Sequence, residues 1–128
     1  MTEQEKQLLL KDLCARLPYG VKCHFKYGTS EDDIILKCID GNVARFDYGW
    51  YGKFHVIIDP QYIKPYLRPM SSMTEEEKKK VHYLVESHKL GNCSRSGAIS
   101  DYLNSIHIDY RGLIEKGLAI EAPEEMYN

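Results

Sequence analysis

The sequence predicts an α+β fold: an N-terminal helix, a small bent antiparallel β-sheet or SH3-like barrel, and a C-terminal helical subdomain of about three helices. Apolar residues recur at helical spacing near the N-terminus, alternate with polar residues within residues 21–58, and return to helical spacing after residue 74. Four or five short antiparallel strands in some 50 residues are typical of a strongly bent sheet or a small barrel.

The first predicted element is a helix that Pro18 stops. Thr2 and Glu5 match a capping box, in which each side chain bonds a free backbone N–H group of the other residue. Leucines follow at helical spacing, at positions 10, 13 and 17.

The β region opens with residues 21–27, whose strict alternation of apolar and polar residues predicts a strand with one buried face. A polar loop is expected at residues 28–33, a second strand at residues 34–39 and a third strand at residues 43–47. The turn between the last two lies at residues 40–42.

The register of this hairpin follows from its hydrophobic pattern. With a three-residue loop, Cys38 pairs with Ala44, and Leu36 pairs with Phe46 on the same apolar face. A two-residue loop would mix charged residues into that face, so we predict the three-residue loop.

An aromatic and glycine-rich turn at residues 48–53 leads into a fourth predicted strand at residues 54–58. Residues 63–69 are expected to add at most a short edge strand, because their prolines exclude both a helix interior and a central strand.

The C-terminal part is predicted to be helical. Thr74 and Glu77 match a second capping box, and apolar residues recur at helical spacing from Val81 onward. A loop at residues 91–97 separates this helix from a third helix at residues 99–106.

The end of the chain is expected to contain a short fourth helix, capped by Asp109 and ended by Gly117. Leu118 and Ile120 are expected to pack back on the body of the protein. The tail from Glu121 is expected to be loose.

Composition predicts one globular, cytoplasmic domain over residues 1–128, with a helix and sheet region at 1–70 and a helical region at 71–128. The net charge of −2 and pI of about 6.2 give no global attraction to nucleic acid or anionic membranes. No apolar run could span a membrane, and no secretory signal is recognised. The four cysteines are expected to be free thiols, and the ten tyrosines to lie at the core edge or on contact surfaces.

No catalytic residue, metal ligand or cofactor is predicted. The nearest approach to a metal site, His82, His88 and Cys93, places its two histidines on opposite faces of a helix. Residues 93–97 precede a helix as phosphate-binding loops do, but the spacing between cysteine and arginine is too short to wrap a phosphate. Residues 31–33 are acidic and are expected to form a solvated hairpin loop rather than a calcium site.

The surfaces predicted to bind a protein partner are the sheet edge and the aromatic turn with its basic residues: Tyr48, Trp50, Tyr51, Lys53 and Arg68. Turns between strands often carry binding function, and these residue types dominate interface hot spots. The alternative interpretation is that Trp50 covers the core and the tyrosines surround it.

Nucleic-acid binding is the alternative function. Aromatic residues beside lysine stack on single-stranded bases, and Lys53, Lys64 and Arg68 could lie near phosphates. The last helices are also similar to a winged helix, but from residue 71 onward seven Lys and Arg oppose ten Asp and Glu, which argues against DNA binding there.

Two runs, IKPYLRPMSSMTEEE at residues 63–77 and DYRGLIEKGLA at residues 109–119, carry a resemblance. They resemble small uncharacterised proteins encoded by gut-bacterial phages, prophages and mobile elements. The resemblance implies a cytoplasmic accessory role and carries over no catalytic residue. We therefore expect a non-enzymatic protein that binds another protein; nucleic-acid binding is the alternative, and a small enzyme the third hypothesis.

Overall fold

The computed structural model describes residues 2–40, 43–48, 54–89 and 97–127, and it has the predicted α+β fold. The elements of these ranges, in chain order, are α1 (Glu3–Arg16), β1 (Lys22–Tyr27), β2 (Ser30–Ile35), β3 (Cys38–Asp40), β4 (Val43–Tyr48), β5 (Phe54–Ile58), β6 (Ile63–Leu67), α2 (Glu75–Lys89), α3 (Ala98–Ser105) and β7 (Ile120–Glu121). Within them the strands form two open sheets rather than a closed barrel. No helix in the described part of the chain is long and apolar enough to cross a membrane.

The larger sheet has the strand order β2-β1-β6-β7, and the smaller sheet has the order β3-β4-β5. The strand pairs within residues 22–67 are antiparallel as predicted, and β7, which was not predicted, adds a parallel pair with β6. The prediction of an edge strand at residues 63–69 was wrong, because β6 lies between β1 and β7. Proline is tolerated here because β7 pairs only with Tyr66 and Leu67, which leaves Pro65 outside the parallel ladder.

Strand β2 corrects the prediction of a polar loop at residues 28–33. The turn consists of only Gly28 and Thr29, and Ser30 already pairs with Tyr27. Acidic residues are poor strand formers, but pairing with a neighbouring strand outweighs that weak preference. Two cross-strand pairs of opposite charge help, since Lys26 faces Glu31 and His24 faces Asp33.

The predicted three-residue loop between β3 and β4 was wrong by one residue. Cys38 pairs with Arg45, and Asp40 pairs with Val43, which leaves two residues between the strands. The prediction assumed one continuous strand over residues 34–39. Instead the hydrogen-bonding partner changes within this segment. The Leu36 N–H donates to the carbonyl of Val21, just before β1, and the Lys37 N–H donates to the carbonyl of Arg45 in β4.

The predicted capping box is confirmed at α2, and its threonine half is confirmed at α1, so both threonines cap the first turns of their helices. The Glu5 N–H donates to Thr2 Oγ1 over 3.1 Å, and the Glu77 N–H donates to Thr74 Oγ1 over 3.2 Å. In α2 the box is reciprocal, because the Thr74 N–H donates to a Glu77 carboxylate oxygen.

One apolar core joins the helical and β regions. The buried residues of this core come from α1, β1, the β2–β4 segment, β6 and the C-terminal segment: Leu9, Leu13, Val21, Cys23, Phe25, Ile34, Leu36, Ala44, Ile63, Leu67, Leu113, Leu118 and Ala119. The predicted inward face of the first strand is thereby confirmed for Val21, Cys23 and Phe25. Leu118 packs back on the body as expected.

The C-terminal region lacks the predicted short fourth helix. The described part contains α2 and α3, and residues 109–117 form turns instead of a further helix. Asp109 still acts as a cap, since its carboxylate accepts the N–H groups of Leu113 and Ile114 over 2.8 and 2.9 Å. Gly112 adopts a left-handed φ angle of 74°, which is incompatible with a continuous right-handed helix, whereas the left-handed φ angle of 73° at Gly117 agrees with its predicted role as a stop.

The tail from Glu121 is not loose as predicted. The Ala122 N–H donates to the carbonyl of Leu67, and the ring of Tyr127 stacks on His107 with centroids 3.8 Å apart. The Tyr127 hydroxyl also accepts the N–H of Lys22 in β1 and donates to the carbonyl of Tyr66 in β6. A polar, C-terminal segment is therefore held by contacts that its composition alone does not indicate.

Candidate functional site: the outer edge of the four-stranded sheet

Three of the residues predicted to bind a partner, Trp50, Tyr51 and Lys53, lie outside the described residues. Tyr48 is the last residue of β4 and pairs with Phe54 of β5. The loop predicted at residues 91–97 also lies almost entirely outside the described ranges.

Arg68, the remaining predicted binding residue, joins the end of β6 to the first turn of α2. Its guanidinium donates to both carboxylate oxygens of Glu77, over 2.7 and 2.8 Å. It also donates to the carbonyl groups of Ser72 and Ile106 over 3.0 and 3.3 Å. Arg68 therefore uses its donors within the protein, in a bidentate pair with Glu77 and in bonds to two carbonyl groups.

A polar cluster that sequence reasoning did not find spans three strands of the larger sheet. It consists of His24 on β1, Glu31 and Asp33 on β2, and Tyr66 on β6. The ring nitrogens of His24 lie 2.9 Å from Asp33 Oδ1 and 2.8 Å from Glu31 Oε1. The Tyr66 hydroxyl donates to the same Asp33 oxygen over 2.7 Å.

The charges of the cluster stabilise one another. The pKa of His24 is raised, mainly by its hydrogen bond to Asp33 and further by Glu31, against a smaller opposing effect of burial. The pKa of Asp33 is lowered, first by the Tyr66 hydroxyl and then by His24. Burial and the hydrogen bond to Asp33 raise the pKa of Tyr66 to about 12, so this hydroxyl stays protonated and remains a donor.

This arrangement restricts the chemistry open to His24. Each of its nitrogens already faces a carboxylate, so neither is directed at a substrate. The two carboxylates also lie on opposite sides of the ring, so they cannot both complete a single metal site with one nitrogen. Consistently, no group of three potential metal ligands occurs in the part of the chain that the structure describes.

Strand β2 presents a polar edge beside this cluster. In an antiparallel hairpin with a two-residue turn, backbone groups point alternately toward the partner strand and away from it. Ser30, next to the turn, points inward, so the N–H and C=O groups of Glu31 and Asp33 point outward. In keeping with this, the Asp33 N–H donates to the side chain of Asp32 over 2.7 Å rather than to β1.

Part of the outward side of this edge is exposed among the described residues, and β2 also contacts β4 of the smaller sheet. The side chains of Glu31, Asp32, Asp33 and Ile35 are exposed, and no described strand pairs with β2 on the side opposite β1. Tyr27, immediately before the turn, is 57% exposed and contacts Tyr62 edge to face with ring centroids 4.9 Å apart. The edge is therefore an acidic strip with an aromatic pair at one end.

The tyrosine excess has the predicted location. None of the tyrosine side chains that the structure describes is fully buried, and Tyr19, Tyr27, Tyr62 and Tyr83 are exposed. A further signal in the sequence could have revealed the cluster. His24 and Lys26 lie two residues apart before the turn, and Glu31 and Asp33 lie two residues apart after it. This spacing is typical of two facing strands that carry opposite charges.

Comparisons of the chain with protein-family models, with curated proteins and with solved structures found no match.

Proposed function

We propose that this protein is a non-enzymatic, cytoplasmic accessory protein of a phage or mobile element, and that it binds a protein partner by adding a strand to β2. The observation that carries the proposal is the exposed edge of β2, where the N–H and C=O groups of Glu31 and the C=O group of Asp33 point outward with no described strand paired to them. Such an edge is a template for an extended peptide, whose main chain supplies the hydrogen bonds.

The charges of the edge select the kind of partner. Glu31, Asp32 and Asp33 are consecutive carboxylates, and His24 and Lys26 on β1 offset part of their charge. A second copy of β2 would place like charges opposite each other, which disfavours self-pairing. Phosphates of nucleic acid would be repelled as well. The best-matched partner is an extended protein segment that carries Lys or Arg at alternate positions.

Two features support binding rather than catalysis. Both ring nitrogens of His24 face carboxylates, so its hydrogen-bonding capacity is used within the protein. Cys23 is completely buried, and burial raises its pKa strongly, which keeps it as an unreactive thiol. The nucleic-acid alternative has less support, because Arg68 is paired with Glu77.

A matched pair of variants tests strand addition directly. Glu31→Pro removes an outward N–H group without removing a hydrogen bond between β1 and β2, whereas Glu31→Gln keeps that N–H group. Neither variant carries the carboxylate, so the difference between them isolates the backbone contribution.

The assay is selection of a displayed random peptide library on the wild-type protein, followed by affinity measurements on both variants. We expect extended, Lys- and Arg-containing peptides that bind the wild type and Glu31→Gln but not Glu31→Pro. Circular dichroism and thermal unfolding establish that Glu31→Pro is folded. Failure to enrich any peptide, or equal binding by the two variants, would exclude strand addition at β2.

A further inference from the structure

His24 controls the side chains of the proposed binding edge through a geometry that only its charged form can satisfy. Imidazolium has two N–H groups, and here one points to Asp33 and the other to Glu31, at 2.9 and 2.8 Å. Neutral imidazole has one N–H group and one lone pair. A lone pair facing a carboxylate repels it, so the neutral ring can retain only one of the two carboxylates.

Tyr66 decides which carboxylate stays. Its hydroxyl donates to Asp33 over 2.7 Å and holds that side chain beside His24 whatever the charge of the ring. Glu31 has no second hydrogen-bond donor among the described residues, although Lys26 faces it on β1, and its side chain is 51% exposed. Loss of the proton therefore leaves Asp33 in place and frees Glu31 to turn toward the edge of β2.

We propose that partner binding at β2 is linked to loss of a proton from His24, which releases Glu31 to pair with a Lys or Arg side chain of the incoming strand. The inference rests on the proposed function and adds to it the residue that recognises the partner's cation. A cation placed beside Glu31 competes with the imidazolium for the same carboxylate, so binding and deprotonation favour each other.

The other charged groups around His24 favour either the charged or the neutral form of its ring. Lysines at positions 22 and 26 flank it on β1, and Lys64 is its register partner on β6, so all three favour the neutral ring. Lys22 is partly withdrawn, since its ammonium donates to the carbonyl of Met126 over 2.8 Å. Glu31 and Asp33 on β2 favour the charged ring, and the Tyr66 hydroxyl remains neutral. Removing Glu31 from this balance by pairing it with a partner therefore lowers the affinity of His24 for its proton.

The experiment measures affinity against pH with a selected peptide that lacks histidine and has blocked termini, so that only the protein titrates between about pH 5.5 and pH 9. For the wild type we expect affinity to rise about 3-fold over this range, the size of one exposed ion pair. His24→Gln should bind at all pH values with the affinity that the wild type reaches at high pH. Glu31→Gln should show no rise.

His82→Gln is the matched control, because His82 is exposed on α2 and should leave the pH dependence unchanged. Calorimetry in two buffers of different ionisation enthalpy should also detect proton release on binding at a pH where His24 is charged. Binding that is independent of pH in the wild type, or a dependence retained by His24→Gln, would overturn the inference while leaving strand addition intact. Absence of any binding peptide would remove the proposed function and this inference together.

Discussion

The hydroxyl of Tyr127 replaces a hydrogen bond of the sheet at the point where β1 and β6 separate. Their ladder ends at the pair of Cys23 and Pro65, and the next pair would be Lys22 with Tyr66. The Lys22 N–H instead donates to the Tyr127 hydroxyl over 3.0 Å, and that hydroxyl donates to the Tyr66 carbonyl over 2.8 Å. A side chain near the C-terminus thus completes the backbone hydrogen bonding of two strands.

Tyr127→Phe should therefore lower the free energy of unfolding by about 1–3 kcal/mol, because the variant leaves a half-buried N–H and carbonyl group without their partner. Urea unfolding followed by circular dichroism measures the loss. Tyr83→Phe is the control, since Tyr83 is 64% exposed, and its unfolding midpoint should not change. Equal midpoints for the two variants would show that the hydroxyl relay contributes nothing.

A buried ion cluster provides the second test at the scale of residues. Asp12 and Arg16 are completely buried and paired over 2.9 Å, and Arg111 donates to the other Asp12 oxygen over 2.8 Å. Asp12→Ala would leave the charge of Arg16 buried without its carboxylate, at a cost of about 3–5 kcal/mol. Chemical unfolding should show this loss, whereas Glu75→Ala, which removes an exposed pair with Lys78, should not. A midpoint for Asp12→Ala close to that for Glu75→Ala would contradict the assignment.

At the scale of elements, features set by local sequence were predictable and features set by distant partners were not. The caps at Thr2 and Thr74 depend on residues three positions away, and both are present. The acidic start of β2 depends on β1 across the turn, and the interior position of β6 depends on β7, more than 50 residues later. The His24 cluster escaped prediction for the same reason, because it needs the correct pairing of β1, β2 and β6.

The contact between β6 and α2 predicts a loss of stability in acid. The hydrogen bonds from Arg68 are the main cause that lowers the pKa of Glu77 from an ordinary value of 4.5 to about 2. Because the folded-state pKa is lower than the unfolded-state pKa, the stabilisation is complete above about pH 5 and is lost as the pH falls toward 2. Glu77→Gln should therefore flatten the dependence of unfolding free energy on pH in this range.

Glu76→Gln, on the same turn of α2, is the control and should leave that dependence unchanged. Asp33 and Asp59 also have lowered pKa values, so the dependence of unfolding free energy on pH should be weaker in Glu77→Gln but not absent. Equal slopes for the wild type and Glu77→Gln would show that the pair with Arg68 does not couple α2 to the sheet.

At the scale of the whole molecule, the helix and sheet region and the helical region share one core. Leu113, Leu118 and Ala119 belong to the same buried cluster as Leu9 of α1 and Phe25 of β1. The tail adds polar contacts between the two regions, because Ala122 and Tyr127 donate hydrogen bonds to carbonyl groups of β6. Neither region can lose its packing without exposing apolar surface of the other.

The chain should therefore unfold in one cooperative transition, as small domains with a single core usually do. Leu118→Ala tests this, because it removes buried side-chain volume contributed by the C-terminal region and should lower the unfolding free energy by about 2–5 kcal/mol. Far-UV circular dichroism follows the helices, and near-UV circular dichroism follows the packing of the tyrosines in both regions. The two signals should shift to the same new midpoint in Leu118→Ala, because the cavity weakens a core that both regions share. If the two signals shifted to different midpoints, the protein would not unfold in one cooperative transition, and the shared core would not couple the two regions.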